Sequence, residues 1–354
     1  MHPPVGWVHN NSRQTRGYIP WVVLSLGLLC LSQVKVRLSS IEICAGAGGQ
    51  ALGLERAGFD HECLVEIDEA ACGTLRSNRP SWRVERTDIC DFDASPYKGI
   101  DLLAGGLPCP PFSIAGKQLG EDDERNLFPS MLRLVKECMP RAVMIENVRG
   151  ILDPRFAAFR DDLVRQFGEL GYQLQWSLMD AKDYGVSQSR HRVVFVALPE
   201  KEHRNFSWPL PDFVLPTPVG HLLLDLMAQK GWEKAITWAG EARDIAPTIV
   251  GGSKKHGGPD LGPTRSREAW LRLGVDGKGI ADEAPSPGFN GLPRLTVRMV
   301  SRIQGFPDSW EFSGRKTAAY RQVGNAFPPP VANAVGTQIA QVLLRSSQMR
   351  AVAG

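Results

Sequence analysis

Short apolar runs, each followed by a glycine turn or a charged residue, recur along the first 200 residues of the chain. Runs of this length and pattern predict buried strands, and the amphipathic stretch at 163–170 predicts a helix between two of them. The predicted strands are 34–44, 61–68, 84–89, 100–104, 141–148, 172–178 and 192–197. Because strands and helices alternate, we predict a doubly wound α/β fold with a mostly parallel sheet.

The composition and the hydrophobic periodicity of the chain change after residue 198. Residues 199–293 are rich in proline, glycine and tryptophan and show weak periodicity, which predicts a smaller, loop-rich second domain. Regularity returns at 294, with predicted helices at 295–304 and 328–344. We therefore predict a main domain at 36–198, a second domain at 199–293 and a segment at 294–354 that returns to the main domain.

The first 35 residues include an uncharged apolar stretch that could be mistaken for a targeting segment. Pro20 and Gln33 interrupt it, and no small-x-small cleavage pattern follows, so neither a spanning helix nor a signal peptide is favoured. We expect residues 1–35 to be a poorly structured leader, or translated sequence upstream of the natural start.

Composition and charge narrow the class of protein. The 354 residues are 43% hydrophobic and 22% charged with a net charge of +3, which is typical of a globular protein without a strong global bias toward nucleic acid. The seven cysteines are odd in number and never spaced C-x-x-C, which argues against a disulfide framework or a zinc site. We expect a cytoplasmic protein with no membrane partner and no metal.

Candidate chemistry lies at the ends of the predicted strands. The first strand runs into a glycine turn at 44–49, an acid at Glu66 follows about 20 residues later, and Asp88 ends the third strand. Such a series predicts a nucleoside site, although a tight turn and acids at helix N-termini are the structural alternatives. After the fourth strand, glycines and prolines flank Cys109, a rigid setting suited to a nucleophilic thiol or, alternatively, to a buried structural cysteine.

A basic stretch lies within the variable segment. Residues 253–272 carry Lys254, Lys255, Arg265 and Arg267 among glycines and loops. The stretch is either a surface that faces DNA or a solvated face.

Five separated motifs resemble, in order, those of the cytosine-5 DNA methyltransferase family. They are the glycine turn 43–49, the proline–cysteine loop 105–113, Glu146-Asn147-Val148, the Q-x-R-x-R run 188–192 and the closing Q-x-G-N segment 320–326. The resemblance covers about 36–344, with 199–293 as the variable target-recognition domain. Three residues depart from the family pattern, namely Cys44, Pro110 and Ala326. None of them removes a group that the chemistry needs.

The resemblance implies methyl transfer from S-adenosylmethionine to carbon 5 of a flipped-out cytosine in duplex DNA. Cys109 would add to carbon 6, Glu146 would hold the N3 edge, Arg192 would contact O2 and orient Glu146, and Arg190 would contact phosphate or favour the thiolate. The implied cofactor contacts are Cys44, Gly46, Gly48, Glu66, Ile67, Asp88, Ile89, Gly105, Pro108 and Asn325. The candidate DNA contacts are Ser113, Lys117, Arg125, Lys254, Lys255, Arg265 and Arg267.

The size of the chain resembles that of a prokaryotic type II modification enzyme. Such an enzyme would act as a monomer on double-stranded DNA, with a cognate restriction endonuclease as its functional rather than physical partner. The stretch 251–270 resembles variable regions that act on GC-rich palindromes. Three competing interpretations are an RNA-directed member of the family, a catalytically dead DNA-binding relative and a nucleotide-linked oxidoreductase.

Overall fold

A computed structural model describes residues 37–108, 126–211, 215–251 and 260–353. The predicted leader at 1–35 and the predicted site residues Cys109, Ser113, Lys117, Arg125, Lys254 and Lys255 lie outside the described residues.

Seven strands form one sheet in the order β3-β2-β1-β4-β5-β7-β6. The strands are β1 (Leu38–Ile43), β2 (Phe59–Glu66), β3 (Val84–Arg86), β4 (Leu102–Gly106), β5 (Ala142–Val148), β6 (Tyr172–Asp180) and β7 (His191–Pro199). All seven coincide with predicted strands. Neighbouring strands are parallel except that β7 runs antiparallel to both β5 and β6.

The strand order reverses at β1 and β4, which is the position where ligands bind in open α/β sheets. From β1 the sheet continues outward through β2 and β3 on one side, and from β4 through β5 on the other. The carboxyl ends of β1, β2, β4 and β5, with the residues that follow them, therefore meet at one edge of the sheet. This edge contains the glycine turn, Glu66, Pro108 and Glu146.

Eleven α-helices lie in the described ranges. They are α1 (Gly49–Arg56), α2 (Glu69–Asn78), α3 (Phe128–Cys138), α4 (Ala157–Glu169), α5 (Glu200–His203), α6 (Val219–Met227), α7 (Ala235–Glu241), α8 (Thr264–Arg272), α9 (Val297–Ile303), α10 (Lys316–Asn325) and α11 (Pro329–Ala353). Short 3₁₀ turns supplement them at 95–97, 149–152, 154–156 and 181–184. Helices α4, α9 and α11 match predicted helices, whereas α6, α7 and α8 fall where weak periodicity had predicted loops.

Two apolar cores cover the two faces of the sheet, as a doubly wound fold requires. Along β5 the side chains alternate between them: Val143 and Ile145 pack in the core with α3 and α4, and Ala142 and Met144 pack in the core with α11. Because both faces of the strand are buried, its sequence is a nearly continuous apolar run.

A third core is built from residues 219–280 together with residues 295–323. Trp270 of α8 is fully buried in it, and so are Met299 and Val300 of α9. The variable segment (199–293) and the segment that returns to the main domain (294–354) thus share one core. The predicted domain boundary at 293 stays a prediction. In the described parts of the chain, no helix combines the length and the apolar character needed to cross a membrane.

Candidate active site

The glycine turn after β1 adopts a left-handed backbone at three positions, namely Cys44 (φ 51°), Gly46 (φ 55°) and Gly48 (φ 83°). A Cβ added at Gly46 would meet no described atom within 4 Å, whereas one at Gly48 would lie 2.7 Å from a methyl group of Leu75. Gly48 is therefore required by packing as well as by its φ angle. Gly46 leaves an open side on which a ligand can approach the backbone.

Cys44 is a cysteine in a backbone conformation that favours glycine. Burial, and then the nearby Glu66 carboxylate, raise the pKa of its thiol well above the usual range. The side chain therefore remains a neutral thiol at physiological pH, which suits an apolar contact and not a nucleophile.

Glu66 ties the end of β2 to the glycine turn. Its Oε2 atom accepts a hydrogen bond from the Gly46 amide at 2.7 Å, and its Oε1 atom accepts one from the Asp68 amide, also at 2.7 Å. Each carboxylate oxygen can accept a second bond, so the carboxylate is held in one orientation with acceptor capacity left. The next side chain, Ile67, is 60% exposed, which is unusual for an isoleucine at the edge of a core.

The end of β3 supplies Asp88 and Ile89. Asp88 is half-buried and accepts a hydrogen bond from the Cys90 amide at 2.9 Å. The Ile89 side chain packs in the core that holds α3 and α4, and its carbonyl accepts from Arg133 at 2.8 Å. Any ligand contact by Ile89 therefore involves its backbone and not its side chain.

The two residues predicted at the end of β4 have different surroundings. A Cβ on Gly105 would lie 2.7 Å from Cγ1 of Ile43 on the adjacent strand, so packing between β1 and β4 explains this glycine. Pro108 is exposed and leads directly to Cys109. In the register of the sheet, Gly106 pairs with Glu146, which puts the start of the cysteine loop next to that carboxyl group.

Glu146 and Arg192 form a mostly buried ion pair. The Arg192 Nε atom lies 2.8 Å from Glu146 Oε1, and the two side chains are 15% and 9% exposed. Burial raises the pKa of Glu146, while the charge of Arg192, the charge of Arg190 and the hydrogen bond from Arg192 oppose that rise. The result is a carboxyl group that keeps a proton to higher pH than an ordinary glutamate and has a cation at its side.

Arg190 lies in a position that does not allow the phosphate contact predicted for it. Its side chain is completely buried, and its guanidinium donates to the carbonyls of Ile249 at 2.6 Å, Gly324 at 2.8 Å and Ala326 at 3.0 Å. A guanidinium enclosed by backbone carbonyls cannot reach a DNA phosphate, so the predicted phosphate contact does not fit the structure. The spacing of the Q-x-R-x-R run could not distinguish the buried arginine from Arg192.

Three further predicted residues lie in the second half of the chain. Asn325 ends α10 and is exposed at the site. On α8, Arg265 is exposed and Arg267 is half-buried, with its Cγ atom 3.1 Å from where a Cβ on Gly277 would be. The fully buried Trp270 fixes this helix to the third core, so Arg265 projects from a supported element and not from a free loop.

Residues 38–341 match the family described as C-5 cytosine-specific DNA methylase. The chain belongs to this family. It is therefore a DNA (cytosine-5-)-methyltransferase, and its cofactor is S-adenosylmethionine, as the motifs had predicted.

Two relatives are similar over most of their length. The chain is 54% identical to the type II methyltransferase M.NgoMIV of Neisseria gonorrhoeae over 315 residues, which are 88% of this chain and 100% of the relative. It is 55% identical to the type II methyltransferase M.NaeI of Lentzea aerocolonigenes over 312 residues, which are 86% of this chain and 75% of the relative.

Solved structures support the fold. The S. pombe Dnmt2 methyltransferase covers 88% of this chain, and 99% of its own chain, with a TM-score of 0.58 at 18% identity. A Spodoptera frugiperda DNMT2 mutant covers 87% of this chain, and 99% of its own, with a TM-score of 0.57 at 18% identity. The predicted α/β fold with a mostly parallel sheet is thus confirmed.

The methyltransferase has a cradle that fits a nucleoside cofactor. The open side of Gly46, the oriented carboxylate of Glu66 and the exposed side chain of Ile67 lie together at the reversal of the strand order. Backbone amides at a glycine turn and a carboxylate after the second strand are the groups that bind a nucleoside in folds of this type. The residues present therefore fit S-adenosylmethionine.

Trp310 completes the glycine turn of the methyltransferase and was missed by the sequence analysis. Its indole Nε1–H donates to the Ala47 carbonyl at 3.1 Å, and its ring lies 3.0 Å from where a Cβ on Gly48 would be. The guanidinium of Arg79 lies 5.2 Å from the centre of the same ring and is itself paired with Glu55. No local pattern indicated these partners, because Trp310 contacts a turn 263 residues away.

Proposed function

We propose that this methyltransferase methylates carbon 5 of a flipped-out cytosine in a specific duplex DNA sequence through a covalent Cys109 adduct. The observation that carries the proposal is the buried ion pair of Glu146 and Arg192, which adjoins the strand end leading to Cys109. An acid that retains its proton and is held by a cation can donate to a ring nitrogen of a base that enters the site.

Each of these residues has a distinct role in the proposal. Carbon 5 of cytosine is a weak nucleophile, so the Cys109 thiolate adds to carbon 6 and pushes electron density toward carbon 5. Glu146 holds a proton at N3 and spreads the charge that develops on the ring, while Arg192 orients Glu146 and donates to O2. S-adenosylmethionine, when bound, supplies an electrophilic methyl group. Loss of the C5 proton and of the thiolate then releases the product base.

The cofactor would be held by residues that the structure brings to one edge of the sheet. Gly46 permits close approach, Glu66 accepts from the ribose hydroxyls, Ile67 lies against the adenine, Asp88 accepts from its amino group, and Asn325 lies near the methionine end. Cys44, Gly48, Ile89, Gly105 and Pro108 shape this cradle through packing and backbone conformation.

DNA would lie across the variable segment and the cysteine loop. The exposed Arg265 and the half-buried Arg267 on the supported helix α8 are proposed to contact phosphates. Ser113, Lys117, Arg125, Lys254 and Lys255 are proposed to contribute further phosphate contacts. The logarithm of the DNA-binding constant falls linearly with the logarithm of the salt concentration. Replacing a single phosphate-binding arginine, as in Arg265→Gln, should make this slope less steep by about 1.

We also propose a biological role as the modification component of a type II restriction–modification system. Two relatives with 54% and 55% identity are named type II methyltransferases, which supports this role. The enzyme would act as a cytoplasmic monomer, and the cognate endonuclease would share its target sequence without binding to it.

The test is transfer of a labelled methyl group to unmethylated duplex DNA by the wild type, Cys109→Ala and Cys138→Ala. Cys138 is a matched control because it lies at the end of α3, where burial raises the pKa of its thiol to about 12. Label on cytosine C5 with wild type and Cys138→Ala, and none with Cys109→Ala, would support the proposal, and bisulfite sequencing would then map the target. Transfer to tRNA instead of DNA, or DNA binding without transfer, would refute it.

A further inference from the structure

We propose that Arg190 is a positioning residue that couples DNA binding at the variable segment to cofactor binding near Asn325. The inference rests on the proposed function, because it assumes that the variable segment binds the DNA substrate. It concerns how the two binding events communicate, and its test can fail while the proposed function holds.

Arg190 is part of a buried hydrogen-bonded cluster, here called the Arg190 hub, formed by the side chains of Gln188, Arg190 and Gln304. All three side chains are completely buried. Gln188 donates to Gln304 Oε1 at 2.6 Å and accepts from the Ile249 amide at 2.9 Å, and Gln304 donates to the Ala326 carbonyl at 2.6 Å. With the three bonds of Arg190, the hub joins the start of β7, the variable segment and the end of α10.

The variable segment is attached to the hub along several consecutive residues. The amide of Ser189 donates to the Ala246 carbonyl at 2.9 Å, and the hydroxyl of Thr248 donates to the Ser189 carbonyl at 2.7 Å. Ile249 then uses both of its backbone groups, since its amide donates to Gln188 and its carbonyl accepts from Arg190. This part of the variable segment cannot move without breaking hub bonds.

Two glycines form the contact through which movement would reach the cofactor side. A Cβ on Gly251 would lie 2.6 Å from the Arg321 carbonyl and from Cγ of Asn325, and a Cβ on Gly324 would lie 2.5 Å from Cα of Gly251. The backbone of the variable segment is thus pressed directly against the last turn of α10. A shift of Gly251 must displace Asn325 or separate the two backbones.

The hub also adjoins the catalytic pair. The charge of Arg190 opposes the rise that burial causes in the pKa of Glu146, and Arg192 is two residues further along the chain. One buried arginine therefore bonds to the recognition segment and the cofactor motif, and its charge acts on the catalytic carboxyl group. Because its planar fork donates in fixed directions, a lysine in its place could reach only part of this set.

Coupling between two ligands is reciprocal and is measured as a ratio of affinities. We expect wild type to bind S-adenosylhomocysteine more tightly with saturating target duplex than without it, by a factor in the range of about 5 to 150. S-adenosylhomocysteine is the probe because it allows equilibrium binding without turnover. The duplex contains the target mapped by bisulfite sequencing, and a duplex of the same length without the target gives the nonspecific baseline.

The variants are Arg190→Lys, Gln304→Met and the control Arg141→Lys. Arg141 also donates to a backbone carbonyl, that of Leu343 at 2.7 Å, but it lies before β5 at the opposite edge of the sheet. Gln304→Met keeps the length of the side chain and removes two hub bonds, so it tests the hub if Arg190→Lys does not fold. We expect the affinity ratio to fall toward 1 in either hub variant and to keep its wild-type value in Arg141→Lys.

Three results would overturn the inference: a wild-type ratio near 1, an unchanged ratio in a folded hub variant, or an equal loss in Arg141→Lys. A reduced cofactor affinity in the absence of DNA is not enough to support the coupling, because a purely structural role would produce it as well. Methyl transfer by the wild type, measured in the same preparation, separates a failure of the coupling from a failure of the proposed function.

Discussion

Removing Arg192 should convert Glu146 into a group whose titration destabilises the protein as the pH rises. The ion pair is mostly buried, since 15% of the Arg192 side chain and 9% of the Glu146 side chain are exposed. The Nε atom of Arg192 lies 2.8 Å from Oε1 of Glu146. In Arg192→Met the carboxyl group keeps its burial, which already raises its pKa, and loses the nearest charge that lowers it. Only the charge of Arg190, whose effect on this pKa is smaller than that of Arg192, then opposes the effect of burial.

The size of the effect follows from the pair itself. Two unit charges about 4 Å apart attract by about 4 kcal/mol at an effective dielectric constant of about 20. Loss of this attraction, which favours the ionised carboxylate, raises the pKa of Glu146 further above its ordinary value. Glu146 then keeps its proton to higher pH in the folded variant than in the unfolded chain, so folding takes up a proton in the pH range between the two pKa values.

A folded state that binds the extra proton loses stability as the pH rises toward the folded pKa. The slope reaches about 1.4 kcal/mol per pH unit where only the folded state holds the proton, so Arg192→Met should lose up to about 2.7 kcal/mol of unfolding free energy between pH 6 and pH 8. Urea unfolding at several pH values measures this, with Glu146→Gln/Arg192→Met as the reference that cannot titrate at this site. If the unfolding free energy changes with pH by the same amount in the single and the double variant, the reasoning is refuted.

Three other predictions concern the cofactor cradle. Glu66→Gln should weaken S-adenosylhomocysteine binding by about tenfold or more in calorimetry, because a charged acceptor contributes about 1.5 to 3 kcal/mol per hydrogen bond; unchanged affinity would contradict the assigned role. Gly48→Ala should destabilise the protein to urea by more than Gly46→Ala, because only the former creates a clash, and equal losses would exclude packing as the cause. Trp310→Phe removes the donor to the Ala47 carbonyl, so it should lower the unfolding free energy by about 1 kcal/mol and weaken cofactor binding in calorimetry. Wild-type stability and wild-type affinity would show that this hydrogen bond is dispensable.

The sheet was predictable because its strands are buried on both faces. Residues 142–148 form an apolar run that ends in a polar pair, and the structure places β5 there with Glu146 at its end. The same reasoning located the glycine turn and Glu66, since strand ends and turn residues are local features of the sequence.

Residues whose partners are remote in the chain could not be predicted in this way. Arg190 carries the same charge as Arg192 and lies two positions away, yet it is enclosed by carbonyls from 59 to 136 residues further along. Helix α8 has only one fully buried residue, Trp270, so its sequence has no apolar stripe that would indicate a helix. In both cases the tertiary contact, and not the local pattern, determines the conformation.

The hydrogen bond from Trp310 to Ala47 has a consequence for synthesis of the protein. The two residues are separated by 263 positions. At about 5 to 20 residues per second, a ribosome takes roughly 13 to 53 s to reach the tryptophan after the turn has been made. Until the returning segment emerges, the nascent chain lacks the indole that fixes the glycine turn, so a messenger truncated before this point would yield a product without a finished cofactor cradle.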